Sequence, residues 1–132
     1  IFTVLISDNI NDAMLMNDYA YIIADRKDVS VEKLDFALKL SKDAIDIAPD
    51  SPEYLDTIGW IYYKSGKYDT ALKYLLKSES LDTENPVILE HLGDVYYKLN
   101  KYGRALDIYN KIINYNPNNI EIVNKIKLLN EK

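Results

Sequence analysis

His91 is the single histidine of the chain, and it stands between two carboxylates, Glu90 and Asp94. Asp94 follows three residues later and falls on the same side of a helix. Asp56 lies thirty-four residues before Glu90. Paired carboxylates can do general acid–base work, and a histidine with acidic neighbours can hold a cation. Neither chemistry is completed in this sequence. One histidine and no cysteine give no closed metal site, no thiolate nucleophile and no disulfide framework. No phosphate-cradling loop, nucleophile motif or dinucleotide fingerprint occurs. His91 therefore reads as a polar surface residue, and the chain as non-catalytic, with no cofactor and no metal.

The elements that must carry these residues are helices. Only four glycines and four prolines interrupt 132 residues, and a 48% hydrophobic content suffices for a core. The apolar opening, Ile1 to Ile6, is far shorter than the roughly 20 residues of a membrane span. It has no basic n-region and is no signal peptide. Residues 1–9 read instead as the tail of a truncated upstream repeat, which makes the chain a fragment of a longer protein. No membrane insertion is expected of it, and its compartment is unknown. Net charge is −5, and residues 1–51 carry ten acidic against five basic side chains. Such a half repels phosphate backbones, so nucleic acid is not an expected partner.

Self-similarity is the main signal. Laid over each other, residues 52–85 and 86–119 match at twelve positions, including Pro52/Pro86, Leu55/Leu89, Gly59/Gly93, Tyr62/Tyr96, Ala71/Ala105 and Asn85/Asn119. Chance would give roughly two. Each unit reads as two helices. Pro52 suits a first helical turn, with Ser51 as its N-cap. Leu55, Ile58, Gly59 and Tyr62 then share one face. Gly66 suits a left-handed C′ position, and its counterpart is Asn100, the other residue that tolerates it. A second helix runs from Tyr68 to Leu81, with Ala71, Leu72, Leu75 and either Ser78 or Leu76 inward. Gly59 and Ala71 are small where the two helices cross.

The frame extends in both directions. An earlier unit, residues 13–51, places one helix from Ala13 to about Asp25 and a second through Ala37 and Ala44. Ala20 takes the place of Gly59, and Ser30 could cap the second helix. Five extra residues within Arg26–Lys33 make a longer loop. Residues 120–132 read as a lone capping helix, with Ile122, Ile126 and Leu129 at helical spacing.

These positions resemble the tetratricopeptide repeat family, whose 34-residue pattern runs W-x2-L-G-x2-Y, A-x3-F, A, P. The middle unit offers Leu55, Ile58, Gly59, Tyr62, Ala71, Leu75, Ser78 and Thr83; the next offers Leu89, Leu92, Gly93, Tyr96, Ala105, Tyr109, Ile112 and Pro117. Ser78 and Ile112 replace a usual alanine, and Thr83 a usual proline. The phrasing around Gly59 and Gly93 looks like bacterial multi-repeat proteins. The resemblance implies an all-α, right-handed superhelical solenoid of three helix-turn-helix repeats plus a C-terminal capping helix.

It also implies a concave groove lined by the first helix of each unit. Carried over position by position, the groove residues are Asn17, Tyr21, Glu53, Asp56, Thr57, Trp60, Tyr63, Lys64, Glu90, His91, Asp94, Tyr97 and Lys98, with Met14, Asp18, Ala24, Asp25 and Val87 beside them. The capping helix adds Asn124. Aromatic rings anchor interfaces, and carboxylates favour a lysine or arginine that can also stack on Trp60 or Tyr63. The expected partner is a basic or mixed peptide or protein segment. The positions at which one subgroup clamps acidic chaperone tails hold Asn17, Tyr21, Thr57, Val87 and His91, with no lysine or arginine, so that clamp is not expected. The other reading is a structural one: the array packs against further repeats, or forms homodimers through its N-terminal end.

Overall fold

A computed structural model describes residues 9–132 of the chain as seven helices: α1 Asn9–Ala24, α2 Val31–Ile47, α3 Pro52–Lys64, α4 Tyr68–Leu81, α5 Pro86–Lys98, α6 Tyr102–Tyr115 and α7 Ile120–Asn130. Among the described residues there is no strand, and the class is all-α, as expected. Helices α1 and α2, α3 and α4, and α5 and α6 pack as hairpins, and α7 packs on α6. The first helices touch in series, α1 to α3 and α3 to α5, and form a continuous inner wall. The apolar Ile1–Ile6 lies outside the described residues. No described helix is long and apolar enough to cross a membrane.

The ends of the helices follow from their capping residues. Ser30 and Ser51 accept from Lys33 N and Tyr54 N through their hydroxyls. Asn85 and Asn119 do the same with their amide oxygens. At the other end of α3, Lys67 N donates to Tyr62 O at 2.9 Å and Gly66 N to Tyr63 O at 3.0 Å. Lys101 N and Asn100 N repeat this on Tyr96 O and Tyr97 O. Both are six-to-one turns that need a left-handed residue, and Gly66 (φ 80°) and Asn100 (φ 62°) provide it.

Close helix crossings fix the hairpins, and each crossing balances two residues. A Cβ on Gly59 would lie 2.7 Å from Leu75 Cγ, and one on Gly93 would lie 2.5 Å from Tyr109 Cε1. In the first hairpin the small partner is Ala20, which has a Cβ, and the residue opposite shrinks to Ser41; both are fully buried. Bulk removed from one helix is thus returned on the other, as close packing demands. Ser78 stands where the repeat pattern has alanine, and its hydroxyl donates to Pro52 O at 2.6 Å. It is Ser78 that is buried, while Leu76 is 41% exposed. The insertion in the first hairpin divides between two elements. Helix α2 begins at Val31, one turn earlier than α4 and α6 in the repeat frame, and Asp25–Ser30 form the loop.

Candidate peptide-binding groove

The inner wall carries the residues singled out from the sequence, but it divides into two regions. Asn17, Tyr21, Glu53, Asp56 and Thr57 line a cleft of about 710 Å³ between the starts of α3 and α5 and the middle of α1, with Asp18, Asp82 and Val87. Tyr63, Asp94, Tyr97 and Lys98 line a second hollow of about 270 Å³ further along, with Tyr109, Lys125 and Leu128. Trp60 and His91 stand in the wall, and Lys64 turns away to donate to Arg26 O at 3.0 Å. Glu90 faces α7.

The cleft is electrically one-sided. Asp18, Glu53, Asp56 and Asp82 line it, and no lysine, arginine or histidine does. Burial, then Asp25, Asp56 and Glu90, push the Tyr21 phenol up to about 12. Burial, then Glu53 and Asp18, raise that of Tyr54. Burial is the larger cause of both shifts, and the neighbouring carboxylates add to it. At the cleft wall Asn17 is 2% exposed; its amide donates to Glu53 Oε1 at 3.4 Å, while its Oδ1 meets no donor among the described residues.

Several residues are more enclosed than the repeat pattern alone predicts. Asp56, Thr57 and His91 are buried with Asn17. His91 is not a surface residue: its Nδ1 lies 2.9 Å from Asp56 Oδ1, and both side chains are 8% exposed. The imidazole also stacks on Trp60, with centroids 4.0 Å apart and planes 19° from parallel. Trp60 stacks on Tyr63 as well, at 4.5 Å and 8°, and its Nε1 donates to Asp25 Oδ1. Helices α3 and α5 thereby meet in one aromatic column, Tyr63–Trp60–His91.

The second region already contains a cation. Lys125 Nζ lies 2.7 Å from Glu90 Oε2 and 2.9 Å from Asp94 Oδ1. Tyr109 OH donates to the same Asp94 oxygen at 2.5 Å. The Tyr109 ring lies under the ammonium, its centroid 5.7 Å away. The repeat pattern points to Asn124 on the last helix, and the structure places its neighbour Lys125 here instead. Its signal is in the spacing: Thr57, His91 and Lys125 recur every thirty-four residues, each after an N-capped helix start. Tyr109 was legible only as a core residue.

With this geometry the relationships to known proteins fall into place. The model of the family described as anaphase-promoting complex, cyclosome, subunit 3 matches residues 30–112, more than half of the chain. The chain belongs to that family, and its repeats are of the tetratricopeptide type. No protein of curated function matches the sequence. Among solved structures, the first TPR domain of Spaghetti (RPAP3) bound to an HSP90 peptide, SRMEEVD, superposes with a TM-score of 0.80 over 92% of each chain at 17% identity. The Arabidopsis OM64 TPR domain gives 0.81 over 93% of this chain and 98% of its own, at 15% identity. A thermophilic TPR protein of Thermus thermophilus, TTC0263, gives 0.76 over 98% of this chain and 69% of its own, at 20% identity. At these identities the likeness establishes the fold.

Proposed function

We propose that the chain is a non-catalytic protein-interaction module, a scaffold or assembly part, whose cleft between α1, α3 and α5 takes a basic or mixed peptide segment. The observation that carries this reading is the set of four carboxylates lining the cleft, Asp18, Glu53, Asp56 and Asp82, of which Asp56 already meets His91. Carboxylates attract lysine and arginine, and the Tyr21 ring in the cleft lining adds an aromatic surface for contact. The HSP90 peptide held by the Spaghetti domain is acidic; this cleft favours the opposite charge. The test is binding of the chain to Lys/Arg-rich and Asp/Glu-rich peptide pools. Preference for the first supports the reading, and preference for the second defeats it.

A second reading is favoured by one observation. Leu15, Tyr19 and Ile22 on α1 are each more than half exposed, and Phe36 on α2, edge-on to Tyr19, is 48% exposed. The residues one unit later, Tyr54, Ile58 and Ile61, are buried against the preceding hairpin. This face therefore has the character of an internal stacking surface, suited to a further hairpin or a second copy of the chain. Sedimentation across a concentration range, with Ile22→Lys as the control, tests self-association; a monomer throughout removes the second copy.

A further inference from the structure

Lys125 occupies the inner wall much as a ligand's side chain would. Its ammonium is gripped by two carboxylates from α5 and lies over an aromatic ring, and it enters from a helix at the end of the array. It stands in the same repeat register as Thr57 and His91, both of which point into the groove wall. Helix α7 rests on α6 chiefly through Ile122 and Leu129, while Ile120 and Leu128 are exposed. The hollow beside Lys125, walled by Tyr63, Tyr97 and Asp94, leaves about 270 Å³ into which an incoming side chain fits.

We infer that Glu90 and Asp94 form a second cation subsite of the groove, made for an alkylammonium or guanidinium group, and that Lys125 is its built-in occupant. A segment with two basic clusters places one in the acidic cleft and uses the other to displace Lys125. A segment with one cluster fills the cleft alone. The displacement rests on the groove reading proposed above; the subsite itself does not. Charge balance explains why an occupant is present. Two carboxylates side by side on a half-buried wall repel each other, and a cation between them removes the penalty.

The subsite is tested in Lys125→Ala, which removes the chain beyond Cβ and leaves a gap shaped for n-propylammonium. Unfolding midpoints of the wild type and the variant are measured against n-propylammonium, with sodium at equal ionic strength as reference. A saturable rise confined to the variant and to n-propylammonium is expected; an equal response to sodium, or in the wild type, overturns the subsite. Displacement is tested with Lys125→Met, checked for intact helicity, against arginine peptides with one and with two clusters. The two-cluster peptide is expected to bind the variant roughly 3- to 10-fold more tightly than the wild type, the one-cluster peptide equally. Equal affinity of the two-cluster peptide for both proteins overturns displacement. Binding of neither peptide to either protein overturns the groove reading and displacement together, while the n-propylammonium result still decides the subsite.

Discussion

Lys125 on α7 and Asp94 on α5 form a two-pronged ion pair: Nζ lies 2.9 Å from one carboxylate oxygen and 3.1 Å from the other. The pair ties α7 to the inner wall, and Lys125 together with Lys98 offsets the charges of Glu90 and Asp94 in this half of the groove. The acidic character that survives is confined to the cleft lined by Asp18, Glu53, Asp56 and Asp82. Lys125 thereby leaves the cleft as the part of the wall that a cation reaches without displacing a side chain.

Alkaline pH should weaken the fold. Burial alone would lower the Lys125 pKa, but the charge of Asp94 and the hydrogen bonds that Lys125 donates to Asp94 and Glu90 outweigh it and raise the value. Burial and then Asp94 push the Tyr63 phenol up to about 12, and Tyr21 reaches about 12 as well. All three groups bind their protons more tightly in the folded chain. Their contribution is complete below about pH 10, where the unfolded groups titrate, and is lost as pH rises through the folded values. Denaturant midpoints should fall between about pH 10 and about pH 12, and fall less in Lys125→Met. A midpoint independent of pH in that window would contradict the ion-pair geometry.

Gly93→Ala should destabilise by about 1–3 kcal/mol, because the new Cβ meets the Tyr109 ring and must shift it. Gly103→Ala, where a Cβ meets nothing within 4 Å, should stabilise by about 0.5–1 kcal/mol through helix propensity. Urea titration of both variants checks the pair of signs. The balance seen at Ala20 and Ser41 leads to a related expectation. Gly59→Ala combined with Leu75→Ser should cost less than the sum of the two single changes, since each relieves the other's misfit.

Gly66→Ala should cost about 1 kcal/mol, because alanine is strained in the left-handed conformation that glycine adopts freely. Gly66→Asn should cost less, since Asn100 holds the same conformation one unit later. Thermal unfolding of the two variants side by side reads the difference.

Much of this architecture was legible in the sequence because it rests on local rules repeated at a fixed interval. Ser51 before Pro52, the Gly66/Asn100 exchange and the small residues at the crossings each constrain the backbone within a few positions. The extra turn of α2 was not legible, since an insertion of five residues can enter a loop or lengthen a helix equally well. The groove was harder to read, because its character depends on contacts across units. His91 meets Asp56 thirty-five residues away, and Lys125 meets Asp94 at a separation of thirty-one. A single-helix view showed His91 beside Glu90 and Asp94 and missed its partner on α3. The pattern named the wall positions, but burial of Asn17, Asp56 and Thr57 arises from packing between α1, α3 and α5 that no one repeat contains.

The most direct test is a calorimetric titration of an arginine-rich peptide into the wild type and into Asp18→Lys combined with Glu53→Lys, two rim positions that are exposed. At low salt the wild type should bind, should weaken as salt is added, and should lose most of its affinity when the two charges are reversed. Undiminished binding by the charge-reversed chain, or tighter binding of an acidic peptide by the wild type, would contradict the account.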